Sequence, residues 1–382
     1  MERALFADLH PEPNIGSSPI DNQQWAPTLG PSPTEANVDN FSGLPLIEGG
    51  YQPEQTEQTP GLKGLRPGQI IGGQYVLEEK VAETEMSHTW FARNLKSNGV
   101  PGRVIIKMVD SKAPGKLSGF DEKKQLRLEA TFSADLSINP DIDTENFTIT
   151  PIAYGSDIRG QVDWYSMSIA QGQTLDRAIR GIRTDGTTPP GALPKRLALM
   201  VVREIAIAMQ QYHDGSHSAP HLDLKPMNVL VEWITENGEI KPKVTIIDFG
   251  TAAMMANGQF YREVNGERED IVMASPKYIS PEQAKFRNAD TDHRSDIYSL
   301  GCMLVELVTG KVPFAEFSKS PATLFNLHAN AEVSLAEIEN PGITSIAKRM
   351  LKKAPSDRYQ NMADIARDIE TVLANPDAAI AA

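Results

Sequence analysis

The chain has a single cysteine in 382 residues, so an intrachain disulfide is excluded. That residue, Cys302, lies in the apolar run Tyr298–Val308, which reads as a buried structural thiol. No stretch approaches the roughly 18 consecutive apolar residues of a membrane-spanning helix. The first residues, Met1–Asp8, lack the basic-then-apolar layout of a secretory signal. An excess of positive charge is absent too: 37 Lys and Arg face 50 Asp and Glu, a net charge of −13. That balance argues against a nucleic-acid partner, which calls for a basic patch. The expectation is a cytoplasmic protein with no membrane insertion.

What is present divides unevenly. Residues 1–70 carry Pro11, Pro13, Pro19, Pro27, Pro31, Pro33, Pro45, Pro53, Pro60 and Pro67 with Gln, Glu, Ser and Gly between them. No helical or strand period survives there, so the segment is expected to be a disordered Pro-rich tail. Ser18-Pro19, Ser32-Pro33 and Thr59-Pro60 are candidate phosphorylation sites, with a plain solvated tail as the preferred reading.

Beyond the tail, β-branched and aromatic residues predict strands at Tyr75–Val81, His88–Arg93, Val104–Met108, Phe147–Tyr154 and Trp164–Ser168. A helix from Glu122 to Leu136 interrupts them, with Leu126, Ala130 and Ser133 on one face. From Thr174 the pattern turns helical: Leu175–Arg183, Lys195–His213, Ser295–Thr309, Pro321–Ala329, Ile343–Lys353 and Met362–Ala374. The expected class is α+β, a small β-rich lobe (71–168) joined to a larger helical lobe (171–375), with a short flexible C-terminus at 376–382. There is no internal repeat.

Within this frame stands His221-Leu-Asp-Leu-Lys-Pro-Met-Asn228, followed by the strand Val244–Ile247 and then Asp248-Phe249-Gly250. An H-x-D-L-K-P-x-N run ahead of D-F-G resembles the eukaryotic-like (Hanks-type) serine/threonine protein kinases. The resemblance implies a two-lobed kinase fold, ATP as co-substrate, Mg²⁺ (or Mn²⁺), and protein substrates bearing Ser or Thr. It makes Asp223 the acceptor of the substrate hydroxyl proton and Lys225 the group that offsets charge on the transferred phosphate. Asn228 and Asp248 become the metal ligands.

Lys107 ends the strand Arg103–Lys107 and matches the nucleotide-gripping lysine of the family. Glu129 is the matching helix partner, with Glu122 a weaker rival near the helix start. Tyr165–Leu175 resembles the hinge: Met167 limits the adenine pocket, and the backbone of Ser168 to Ala170 faces the adenine edge. Val81 completes the nucleotide set.

Downstream, Ala274–Gln283 resembles the peptide-docking segment, with Ser275 near Asp223 and Glu282 expected to pair with Arg358. Asp296 is expected to accept backbone bonds from the loop of Asp223. Zinc at His213, His217 and His221 is disfavoured, because Pro220 and Asp214-Gly215 break the helix such a face needs.

Two departures from the family stand out. Ala82-Glu-Thr-Glu-Met-Ser87 replaces the G-x-G-x-x-G loop over the phosphates, so weaker nucleotide affinity is expected, with Glu83 and Glu85 adding like charge. Leu222 replaces the arginine that clamps a phosphorylated activation segment, and Tyr261 is the only hydroxyl between Thr251 and Ser275. Glu263, Glu267, Glu269 and Asp270 in that segment are candidates to stand in for phosphate. Activity is therefore expected to be independent of phosphorylation there. A pseudokinase acting as a binding or scaffold protein stays open as the alternative; phosphotransfer to a small molecule is disfavoured by Lys225 and Pro281-Glu282. The residues do not indicate an oligomeric state.

Overall fold

A computed structural model describes residues 62–83, 87–96, 102–110, 122–139, 142–143, 150–157, 162–181, 190–214, 220–256, 261–264, 267–270, 274–286, 290–375 and 380. The small lobe is a sheet in the order β1-β2-β3-β4-β6-β5. Its strands are β1 (Ile70–Ile71), β2 (Tyr75–Glu83), β3 (Ser87–Asn94), β4 (Arg103–Asp110), β5 (Pro151–Asp157) and β6 (Val162–Met167). Alternation along β4 splits its side chains between two faces. Val104, Ile106 and Met108 are buried outward against Leu62, Leu65, Ile71, Trp90 and Trp164. Ile105 and Val109 turn inward, onto Leu126, Ala130 and Ala134 of helix α1 (Glu122–Ser137).

Burial of Leu62 and Leu65 corrects the expected tail boundary at residue 70. Lone apolar residues give no periodic signal, and only the sheet they cover reveals them. Ala134, not Ser133, completes the buried stripe of α1, at the i, i+4, i+8 spacing of a helix face. Close packing also explains Gly72, which has φ +59° and where a Cβ would come within 2.4 Å of the Trp164 ring.

The large lobe centres on α3 (Lys195–Asp214) and α6 (His293–Thr309), whose buried residues form one core with α8 (Pro341–Met350) and α9 (Met362–Ala374). Between α1 and α3 lies α2 (Leu175–Gly181), and α7 spans Pro321–Asn330. Asp292 caps α6 through the Arg294 amide, and Gly310 ends it at φ 75°. Helix α8 starts two residues before the expected Ile343: Asn340 caps it, and Pro341 occupies the first turn, where a missing N–H costs nothing. It also stops at Met350, short of the expected Lys353.

The expected strand over Val244–Ile247 is the end of a longer one, and further elements were not expected from the sequence. Strands β8 (Val229–Glu236) and β9 (Glu239–Ile246) form an antiparallel hairpin, and β7 (Gln173–Thr174) joins its edge. The turn is Asn237-Gly238, both at positive φ (51° and 82°), as a two-residue hairpin requires. Helix α4 (Gly250–Ala256) starts on the last residue of D-F-G, and α5 covers Pro281–Ala284. Strands β10 (Tyr261–Val264) and β11 (Glu267–Asp270) pair antiparallel. The expected strand over Phe147–Tyr154 begins at Pro151, and residues 144–149 lie outside the described set, as do 1–61, 84–86 and 376–379.

Candidate active site

Three pieces of chain meet between the lobes. The first is the end of β4, where Lys107 shares the inward face with Ile105. Its Nζ lies 2.7 Å and 2.8 Å from the two carboxylate oxygens of Glu129 on α1, and 3.3 Å from Asp248 Oδ1. Burial pushes Lys107 toward its neutral form, but the charges of Asp248 and Glu129 outweigh it and raise its pKa. For Glu129, burial dominates and raises the carboxyl despite Lys107. Asp248 moves the other way: the Lys107 charge holds it below its usual value. Glu129 is therefore the partner the lysine takes; the side chain of the rival Glu122 lies outside the described residues.

The second piece is the loop 221–228. Asp296, fully buried near the start of α6, accepts the backbone N–H of His221 at 2.7 Å and of Leu222 at 2.8 Å. Those two bonds hold the loop while Leu222 adopts φ 66°, an uncommon conformation for a branched side chain. Leu222 itself is buried, and its carbonyl accepts from Gln283 Nε2 at 2.8 Å, tying the loop to α5. The result presents Asp223. Lys225 Nζ donates to its Oδ2 at 2.5 Å, and the Ser275 amide donates to its Oδ1 at 2.8 Å. Lys225 also reaches Ser275 Oγ at 2.8 Å. Asn228 Nδ2 donates to the Asp223 carbonyl at 2.9 Å, which leaves its amide oxygen as the free donor atom.

The third piece is the turn 248–250. Asp248 has φ 68°, and Phe249 is buried against His221 (4.9 Å between ring centroids), Tyr212 (4.8 Å) and Phe132 of α1 (6.2 Å). His221 Nε2 is 3.0 Å from the Ile247 carbonyl. With His213 Nε2 on Asp296 at 2.9 Å, both histidines are committed to protein partners, and His217 lies outside the described residues. Among the described residues no cluster of three or more His, Cys, Asp or Glu is arranged to hold a metal. A carboxylate oxygen of the part-exposed Asp248 and the amide oxygen of Asn228 form a smaller, hard-oxygen donor set, which fits a divalent ion completed by phosphate oxygens.

At the hinge, Met167 ends β6, and Val81 on β2 is half-buried. The Ser168 N–H donates to the Thr150 carbonyl at 2.8 Å, and Ser168 Oγ accepts from the Thr150 amide at 2.9 Å. The Ser168 amide is thus spent within the protein. Gly172 closes the stretch at φ +97°, where a Cβ would meet the Val231 carbonyl at 2.4 Å.

Over the cleft, residues 84–86 lie outside the described set, so the placement of Glu85 is not part of the picture. Glu83 is described, and it bonds Lys80 at 2.9 Å and the buried His88 at 3.2 Å. His88 pairs in register with Met108, a residue of the outer core, so Glu83 is drawn toward the face opposite Lys107. Glu83 is thus held on the sheet face away from Lys107. The side chains of Glu263, Glu267, Glu269 and Asp270 lie outside the described residues.

Tyr165 was read only as part of the hinge strand. Its hydroxyl in fact donates to Glu129 Oε1 at 2.6 Å. The signal available was its position two residues before Met167, on the same strand face.

A family model described as a protein kinase domain matches residues 158–369. Among curated proteins, a probable serine/threonine-protein kinase of Clostridium perfringens is 30% identical over 317 residues, covering 82% of this chain and 40% of that protein. The serine/threonine-protein kinase PrkC of Bacillus subtilis is 25% identical over 308 residues, covering 80% of this chain and 41% of PrkC. PknB of Mycobacterium leprae is 29% identical over 214 residues, covering 55% and 30%. The chain thus spans well under half the length of these relatives.

Proposed function

Because this chain belongs to the protein kinase domain family, we propose that it transfers the terminal phosphoryl group of ATP to Ser or Thr hydroxyls of protein substrates. The observation that carries this reading is the convergence of Lys107 on Glu129 and Asp248, with Asp223 presented on the adjoining loop. Lys107, held by two carboxylates, is preorganised to bind the α- and β-phosphates, so little ordering remains to be done on binding. Asp223 keeps its carboxylate aimed by Ser275 and Lys225, and accepts the proton of the incoming hydroxyl. Lys225 then sits beside both the acceptor and the transferred group, where it offsets developing charge. Val81, Met167 and the Ser168–Ala170 backbone enclose the adenine.

Asn228 and Asp248 would hold Mg²⁺ (or Mn²⁺). Bound there, the ion would neutralise charge on the phosphates. Leu222 in place of arginine, with Tyr261 the only hydroxyl of the segment, supports activity that does not await phosphorylation there. No described helix is long and apolar enough to cross a membrane.

The test is phosphorylation of a generic protein substrate with labelled ATP, comparing wild type with Asp223→Ala and Lys107→Met. Loss of label in both variants supports the assignment; equal label in all three overturns it. The pseudokinase reading rests on the missing glycines of 82–87. It is separated by a thermal-shift titration with Mg²⁺ and ATP, because a ligand that binds only the folded state raises Tm. No shift at millimolar nucleotide would favour the scaffold role.

A further inference from the structure

We propose that Tyr165 is a positioning residue that keeps α1 docked through Glu129, so that the Lys107–Glu129 pair stays closed without phosphorylation of the activation segment. This rests on the kinase reading above and adds a third member to the pair.

Lys107 alone is an insecure anchor for α1. Its ammonium is already shared between Glu129 and Asp248, and in the proposed reaction it must also turn to phosphate. Each added acceptor weakens its hold on Glu129, which is only 3% exposed and cannot fall back on water. Tyr165 supplies a donor that no phosphate competes for. Its O–H reaches Glu129 Oε1 at 2.6 Å, a length typical of a bond to an ionised acceptor.

The donor is also rigidly placed. Strand β6 lies between β4 and β5 and is paired to both, and Tyr165 sits directly across from Lys107 in that ladder. Sheet and helix are therefore joined at one carboxylate by two neighbouring donors, one mobile and one fixed. The ring of Tyr165 is buried with Leu126, Ala130 and Ala134 of α1, so the hydroxyl is the one polar handle it brings to that contact. Burial and the charge of Glu129 raise the phenol well above its usual pKa, which keeps the proton on the oxygen as donor.

The other flank of Glu129 is filled as well. A Cβ on Gly250, the first residue of α4, would stand 3.3 Å from Glu129 Oε2. Kinase activation commonly depends on correct placement of this helix. Here the position is set by Tyr165 in the sheet and by α4 against α1, while the loop offers Leu222 in place of a phosphate-binding arginine.

The test uses Tyr165→Phe, which keeps the ring and removes one hydroxyl, alone and combined with Glu129→Gln. Hydrogen–deuterium exchange over Glu122–Ser137 should speed up in Tyr165→Phe while the α6 and α9 amides exchange as in wild type. Turnover should fall on the order of tenfold, as for one lost bond to a buried charge. The acid limb of the kcat/KM profile should move to higher pH, because the Tyr165 bond lowers the Glu129 carboxyl. In the Glu129→Gln background the same change should cost much less, since Tyr165 acts through that carboxylate. Unchanged exchange in α1, or an equal loss in both backgrounds, would overturn the proposal. An inactive wild type would instead sink the catalytic reading, and the exchange comparison would still decide the role of Tyr165.

Discussion

Arg358 holds Glu282 with both terminal nitrogens, Nη1 at 2.8 Å from Oε1 and Nη2 at 2.7 Å from Oε2, in a site where Arg358 is only 2% exposed. Ser295 adds a third bond to the same carboxylate at 2.5 Å. The pair expected from the sequence is thus formed, and it fastens α5 to the stretch of chain ahead of α9 at the end of the large lobe.

Removing Arg358 should therefore be costly, because it leaves a buried charge with no counter-ion. Arg358→Met is expected to lose about 3–5 kcal/mol in urea unfolding at pH 7. The pH dependence should invert as well. In wild type burial raises the Glu282 carboxyl, but Arg358 more than compensates and holds it below 4.5. Its contribution is present above 4.5 and is lost as pH falls through the lower folded value. In Arg358→Met only the Ser295 and backbone bonds oppose burial, so the variant should regain relative stability on acidification toward pH 5. A variant that tracks wild type across that range would contradict this account.

Ser275 should matter to turnover through Lys225. Ser275→Ala deletes the 2.8 Å bond to Lys225 Nζ but keeps the backbone amide on Asp223. Steady-state kinetics should show kcat reduced by roughly tenfold, in line with one bond to a charged group. KM for ATP should hardly move, and a rise in KM with kcat intact would assign Ser275 to binding instead.

Glu83 makes the opposite prediction. Because Lys80 and His88 hold it, Glu83→Gln should leave KM for ATP within about threefold of wild type, the scale of an exposed ion pair. A large drop in KM would mean that its charge reaches the nucleotide after all.

Cys302 is expected to be inert in the folded protein. It is fully buried in α6, and burial raises its thiol well above the usual value. Thiol titration with Ellman's reagent at pH 8 should find no reactive group in the native state and one per chain in guanidinium. Prompt native reaction would show that α6 opens locally.

The loop and the D-F-G turn were legible because their chemistry is local: several residues of fixed type fall within a short stretch. Lys107 and Glu129 were legible through the family resemblance, as a strand-end lysine and its helix partner. The β8–β9 hairpin could have been read, because Asn237-Gly238 separates two alternating runs and is a strong turn signal. Leu62 and Leu65 could not. Their burial depends on an outer sheet face assembled from residues far along the chain.

The same distinction separates Glu83 from Glu129. Both are glutamates flanking Lys107 in the linear order, and each brings the same carboxylate. Strand register puts Glu83 on the sheet face away from Lys107, since a shift of one residue exchanges the two faces, whereas the docking of α1 brings Glu129 to it. Residue identity alone determined which acid, amide and amine groups the chain offers, because that chemistry belongs to the side chain wherever it lies. Packing decided which of them meet, which turn away, and that Tyr165 joins them, because hydrogen bonds reach only about 3 Å and only the folded chain brings atoms that close.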